Sequence, residues 1–381
     1  MRRPSPTRSL CSLAAILAVL LAVLAGCAGV PEVPDVDLTA TPGPTRAERD
    51  RRECLATAQA SLGNDFVIET RVRRIVTRPE RRVLVTYSND DELNALLDGL
   101  VDHLLGSCLR QRGYEELFGF LLLPPRGEGW AREISRRERG QDVVFTKSAT
   151  PAGGVHTALA LAGVAEAELP GNDRDVLLQR LTAELRDEWS ARRFTRVSVE
   201  ATPTTWLGAD CLRYRVAAHD QEVPKFEGEV FALGVRGLRC VHPHLPALQP
   251  RKVVDVAYSQ RFRSTSWQPA IDGEVEAMLT SLIFTPVNPS AQVIAALERY
   301  AALLREVGRL AGAAEVLDQV ERARRSGTGV FRIDPAERLR SYAAVLRGRG
   351  REAEAREAEA LAAAYLRANF REFLRRYNQP R

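Results

Sequence analysis

The chain has 381 residues, with 54 Lys and Arg against 49 Asp and Glu and a net charge of +5. Arginine supplies nearly all of the positive charge, since Lys147, Lys225 and Lys252 are the only lysines, and alanine is abundant; this is a compositional bias rather than a phosphate-binding surface. A charge this close to balance gives no electrostatic ground for a nucleic-acid partner, and the length predicts two or three domains.

The first segment holds Arg2, Arg3 and Arg8, an apolar run from Leu13 to Leu24, and then small residues. This is the order of an export signal. The apolar run is about 12 to 15 residues, short of the roughly 20 needed to span a bilayer as a helix. It ends in Leu24-Ala25-Gly26-Cys27, which resembles the lipobox of bacterial lipoproteins. The resemblance implies removal of residues 1–26 and lipidation of Cys27, whose thiol takes a diacylglycerol and whose freed amine takes a further chain. Each buried CH₂ adds roughly 0.8 kcal/mol, and two chains anchor a protein stably. Ala28 resembles the default signal for delivery to the outer membrane, facing the periplasm. Without the signal the basic count falls to 51 against 49, and export argues further against nucleic acid.

Residues 27–45 carry Pro31, Pro34, Pro42 and Pro44 without periodicity and read as a tether, about 3 Å per residue when extended. Residues 46–125 read helix–strand–strand–helix. The first helix places Cys54, Leu55, Ala58 and Leu62 on one side. Phe66–Arg78 and Arg82–Ser88 are rich in Val, Ile and Thr and are separated by Pro79-Glu80, a hairpin pattern. Ser88-Asn89-Asp90-Asp91 can cap the second helix, whose stripe Leu93, Leu96, Leu97, Leu100, Val101, Leu104, Leu105 and Cys108 turns Cys108 toward the core. Leu117–Leu123 is expected to close this unit before Pro124-Pro125.

In residues 126–288, strands are expected at Asp142–Lys147, His156–Ala162, Phe194–Ala201, Cys211–Ala217, Glu229–Val235 and Val253–Phe262, with helices at Asp173–Ala191 and Asp272–Leu282. Strands outnumber helices and most connections suit antiparallel pairing. The fold class is therefore α+β, an antiparallel-sheet sandwich. The element order loosely resembles the PsbP-type α/β sandwich. The segments beginning at Gly208 (GADCLRY), Gly237 (GLRCVHP) and Val256 (VAYSQR) are similar to uncharacterised proteobacterial lipoproteins, a resemblance that implies no activity.

In residues 289–381 strand patterns give way to Ala, Leu, Arg and Glu. Tyr300-Ala-Ala-Leu-Leu-Arg-Glu-Val-Gly308-Arg returns as Tyr342-Ala-Ala-Val-Leu-Arg-Gly-Arg-Gly350-Arg. Ala313 and Ala355 follow the glycines at the same offset, and the pattern resembles tetratricopeptide helical hairpins, lengthened by an insertion at Ser326–Pro335. Two such units are fewer than a free-standing array needs, so they are expected to lean on the sandwich or on a partner. This segment carries 18 Arg against 12 acidic residues. Many are spaced for pairing within a helix, and the excess could also face anionic lipid or an acidic partner.

Of six cysteines, Cys11 leaves with the signal and Cys27 is the lipidation site. Cys54, Cys108, Cys211 and Cys240 form an even set in an exported chain, which indicates disulfides with three possible connectivities. Cys54–Cys108 and Cys211–Cys240 each fall inside one predicted unit. Zinc is disfavoured because no C-x-x-C occurs. His242-Pro-His244 is the only histidine cluster, and its proline points to a solvated loop; His103 is expected to be exposed. Glu227, Glu229 and Asp255 lie on strands or their edges, with no spacing that would pair them, and Asp90-Asp91 reads as a cap. No nucleophile elbow, HExxH or phosphate loop is present. The expectation is a non-catalytic binding or scaffold lipoprotein with no cofactor and no metal. It would be held to the membrane by its lipid and would meet an envelope protein through residues 289–381. The alternatives are a ligand-binding or hydrolytic pocket in residues 126–288 and a purely structural envelope role.

Overall fold

The computed structural model describes residues 45–78, 83–87, 89–137, 140–149, 156–167, 169, 173–223, 226–243, 251–263, 271–286, 289–326 and 335–370. The signal, Cys27, the tether, Pro79-Glu80, His244 and most of the Ser326–Pro335 insertion lie outside these residues.

Helix α1 (Arg46–Asp65) starts at a capping box: the Thr45 hydroxyl accepts from the Glu48 amide at 3.2 Å, and the Glu48 carboxylate accepts from the Thr45 amide at 2.6 Å. The segment expected as one strand over Phe66–Arg78 is two, β1 (Phe66–Glu69) and β2 (Arg74–Thr77). A tight turn at Thr70–Val72 separates them, with Arg73 at φ 47°. They form a three-stranded antiparallel sheet with β3 (Val83–Thr86). Helix α2 (Asp90–Gln111) is capped by Asn89, whose side chain accepts from the Glu92 amide at 2.9 Å. A disulfide joins Cys54 of α1 to Cys108 of α2.

Leu117–Leu123 does not close the first unit. Within it β5 (Phe120–Leu122) pairs with β4 (Glu115–Glu116) on one side and with the distant β13 (Ile283–Phe284) on the other. Two further bonds tie the same place: the Ser281 hydroxyl accepts from the Leu123 amide at 2.8 Å, and the Trp206 indole donates to the Leu282 carbonyl at 2.8 Å. An apolar run this short cannot show from its own sequence which strand it will pair with.

The largest sheet has seven strands, all paired antiparallel: β6 (Ala131–Arg137), β7 (Gly140–Ala149), β8 (His156–Ala167), β9 (Phe194–Trp206), β10 (Ala209–Asp220), β11 (Phe231–Val241) and β12 (Arg251–Phe262), in the order β6-β7-β8-β12-β11-β10-β9. The sequence did not reveal β6, because an exposed edge strand carrying Arg132, Glu133 and Arg136 has no apolar alternation. β11 runs well past the expected Val235, through Gly237, and is buried along its whole length. Cys211 and Cys240 are direct partners across β10 and β11, with Cα atoms 4.0 Å apart, and are joined by the second disulfide. A loop of this span is worth about 3–4 kcal/mol in the chain-entropy description.

The central strands of this sheet are covered on one face, while the edge strands β6 and β9 stay largely exposed. Val254, Val256 and Tyr258 of β12 pack with Val275 and Met278 of helix α4 (Asp272–Leu279), with Leu121 and Leu122 of β5, and with Cys54, Leu105 and Leu109 of the first helices. A single core thus runs from α1 to the sheet. The other face carries helix α3 (Arg174–Glu188), described below.

The C-terminal helices are α5 (Ser290–Glu306), α6 (Leu310–Ser326), α7 (Pro335–Arg347) and α8 (Glu352–Ala368). α5 packs on α6 and α7 on α8, making two hairpins that meet through α5. Gly308 and Gly350 turn the chain at φ 76° and 72°, conformations that any other residue would adopt only with strain. The duplicated Tyr300 and Tyr342 stack on each other, ring centres 5.3 Å apart. These helices lean on α2 rather than on the sheet. Ala95 of α2 belongs to their core, Arg367 pairs with Asp102, and Phe370 packs among Ile75, Leu96 and Leu100. Gly99 makes room for this: a Cβ there would stand 2.8 Å from the Phe370 Cβ. The α2 stripe read as core therefore serves two neighbours, β1–β3 and α8.

Phe370→Ala should cost about 3–5 kcal/mol in denaturant unfolding, the usual cost of emptying a buried aromatic site. A loss below about 1 kcal/mol, the scale of an ordinary surface substitution, would mean that α8 is not seated on α2 in solution.

A cleft on the partly covered face of the sheet

The functional candidate lies where α3 leaves the sheet open. Asp173 caps this helix, accepting from the amides of Asp175 at 2.9 Å and Val176 at 3.2 Å. Leu177, Leu178, Leu181 and Leu185 then press onto Leu212, Val216, Leu233, Val235, Val241 and Val253. The helix covers β10 and β11 and stops short of β7 and β8. What remains is a cleft of about 560 Å³ floored by β8, β12 and β11 and walled by the end of α3, with Trp189 and Phe194 beside it. That volume is within the usual range for small-ligand sites. The Trp189 and Phe194 rings lie 4.8 Å apart, centre to centre.

Strand register orders the floor. Ser259 faces Leu159, Ala257 faces Leu161 and Asp255 faces Gly163 across β12 and β8. Leu159 and Leu161 are half-buried, exposing apolar surface to the cleft. At one end Arg239 makes a bidentate pair with Glu188 at 3.0 and 2.8 Å, and its Nε donates to Asp255 at 2.9 Å. Tyr214 donates its hydroxyl proton to the other oxygen of Asp255 at 2.8 Å. The Tyr214 ring lies against the backbone of Gly237, where a Cβ would come within 2.6 Å of the phenol. Burial pushes the Tyr214 hydroxyl well above its ordinary range, and Asp255 pushes it further. Burial works against the Arg239 charge, but Asp255, Tyr214 and Glu188 together outweigh it and the guanidinium is held more firmly protonated than usual.

At the other end Arg193 grips Asp220 with two bonds of 2.7 Å, and Arg261 reaches the same carboxylate at 2.8 Å. Asp220 is completely buried. Its burial would raise its pKa, but the hydrogen bonds from Arg193 and the charge of Arg261 overcome this and hold it below the usual carboxylate range. The Nε of Arg261 is buried without a hydrogen-bond partner.

The residues singled out in the sequence fare differently. Asp255 enters the Arg239 network, whereas Glu229 pairs with Arg263 at 2.8 Å on the surface and Glu227 is exposed. Asp90 and Asp91 sit in the first turn of α2, where their charge favours the helix dipole. His242 is not in a solvated loop: it is buried, its Nε2 lies 2.8 Å from the Gly119 carbonyl, and its ring meets Phe284 edge-on. The β5–β13 pairing brings these partners to it. His103 is half-buried rather than exposed. All four core cysteines are in the two disulfides. Among the described residues no group of three or more His, Cys, Asp or Glu is placed to hold a metal ion, and no helix is long and apolar enough to cross a membrane. Sequence reasoning missed Arg193, Asp220, Arg239 and Arg261. The signal available was the pair of arginines, Arg236 and Arg239, in the otherwise apolar strand Phe231–Val241.

No protein-family profile matches the sequence, and no curated protein does. Six chains of solved structures match. One is the crystal structure of LpqN, involved in cell envelope biogenesis of Mycobacterium tuberculosis, with 11% identity over 45% of this chain and 87% of that one and a TM-score of 0.27.

Asp220→Asn should cost about 2–4 kcal/mol at pH 7, because two guanidiniums lose a buried partner. The folded-state pKa of Asp220 is depressed, so its contribution is present above the unfolded pKa and is lost as pH falls through the folded value. The variant should therefore show a smaller loss of stability than the parent chain between about pH 5 and pH 2. Parallel acid profiles for the two would contradict this assignment.

Proposed function

We propose that the chain is a binding protein of the bacterial cell envelope, without catalysis of its own. It is exported, anchored by lipid on Cys27 to the outer membrane facing the periplasm, and holds a small ligand in the sheet cleft. The observation carrying this reading is the cleft itself: its apolar floor lies between two charged ends whose ionisable groups are held in ion pairs. Glu188 and Asp255 are engaged by Arg239, and Glu166 by Lys252 at 2.5 Å. The Ser259 hydroxyl has the Leu159 carbonyl at 3.5 Å as its partner, not a general base. Such groups orient and select a ligand better than they transfer protons. The scaffold side of the reading rests on residues 289–381. Val307 and Leu310 stand exposed at the α5–α6 turn, Leu310 at 67%, where an envelope protein could meet them. Deleting the whole segment would also strip Phe370 from α2, so point changes at this turn are the cleaner probe of a partner.

Cys27→Ser tests the anchor. Expressed in a bacterial host, the parent chain should sediment with membranes and resist extraction by high salt, and the variant should not acquire lipid label. Equal lipid labelling of both would remove Cys27 as the site.

A further inference from the structure

We infer that the ligand of the cleft is a single-chain anionic amphiphile, its acidic head at Arg193 and Arg261 and its tail over Leu159, Leu161 and Ala257. This rests on the proposal that the cleft binds a ligand at all, and adds the chemistry of that ligand. The cleft is polarised along β12. At the Arg261 end two guanidiniums share one buried carboxylate, Asp220, and the exposed Glu222 is the further acid beside Arg193. The Arg193 and Arg261 side chains are both partly exposed, at 34% and 25%. At the Asp255 end two carboxylates share Arg239, and a third, Asp142, lies against Gly163 across from Asp255, so this end is acidic. Arg261 and Asp255 are six residues apart on one strand, about 20 Å at 3.3 Å per residue. Between them the floor offers Ser259, Ala257 and the two half-buried leucines of β8. An acidic head gains charge-assisted hydrogen bonds at the arginine end and would meet repulsion at the other, so the gradient also sets the direction in which the chain lies. A head bearing positive charge has no site at the arginine end. A carboxylate and a phosphate monoester share the required chemistry.

Calorimetric titration of residues 28–381, the chain without its signal and its lipidated Cys27, in the absence of detergent, tests the inference. The probes are dodecanoate, dodecyl phosphate, dodecyl maltoside and dodecyltrimethylammonium, all below their micelle concentrations. The expected order is tighter binding of one or both anions than of the neutral probe, with the cation weakest; the two anions then tell carboxylate from phosphate. Raising salt should weaken the anions and leave the maltoside unchanged. Arg261→Gln, or Arg193→Gln if the first unfolds, should cut the anion-to-maltoside affinity ratio about ten-fold, the scale of one hydrogen bond to a charged group. Leu161→Asp should abolish binding of every probe. Equal affinity for anion and maltoside, insensitive to salt, would overturn the head-group assignment and leave the cleft as a neutral apolar site. No binding of any probe would overturn the cleft reading and this inference together.

Discussion

The structure depends on β11 being buried from end to end. An antiparallel sheet commonly leaves one face to water, so a strand buried on both faces needs a layer on each side of it. On one side α4, β5 and the first two helices supply that layer and form a single core with the sheet. On the other side the layer among the described residues is α3, and its four leucines reach no further than the centre of the sheet. The cleft over β8 and β12 is what a seven-stranded sheet retains when one short helix covers it.

The same strand fastens both layers with arginines. Arg236 points to one face and pairs with Asp272 at the start of α4, at 3.5 Å; Arg239 points to the other and pairs with Glu188 at the end of α3. Both arginines are buried, at 4% and 8% exposure. Buried ion pairs contribute little net stability, because desolvation offsets most of the attraction, but losing one partner is costly. Their effect here is positional. α3 cannot slide along the sheet without breaking the Glu188 pair and drawing Trp189 away from Phe194 of β9. Asp220 does the equivalent at the far end by tying Arg193, just beyond α3, to Arg261 of β12.

Much of this fold was legible in the sequence. The α+β class, the antiparallel sheet, the stripes of α2 and α3 and the disulfides follow from periodicity, capping residues and cysteine number. The duplicated tyrosine-to-glycine segments marked two helical hairpins, and the structure brings Tyr300 and Tyr342 together. What escaped is long-range. The sequence of Leu117–Leu123 holds nothing that names residues 283–284 as its partner, and the burial of His242 follows from that pairing. β6 was hidden because an edge strand needs no apolar face. The cleft was least legible, since it arises from a mismatch between the width of a sheet and the reach of a helix. Its arginines are distinguished from many solvated ones only by the strands they occupy.

In our proposal the open part of the sheet is a binding surface for a small amphiphile. Native mass spectrometry of the lipidated protein, released gently from its own envelope, tests it most directly. The expected result is a non-covalent adduct of one small molecule per chain, retained by the parent protein and absent from Leu161→Asp. A parent protein whose mass is that of the lipidated chain alone, under conditions that preserve non-covalent adducts of known lipid-binding proteins, would contradict it.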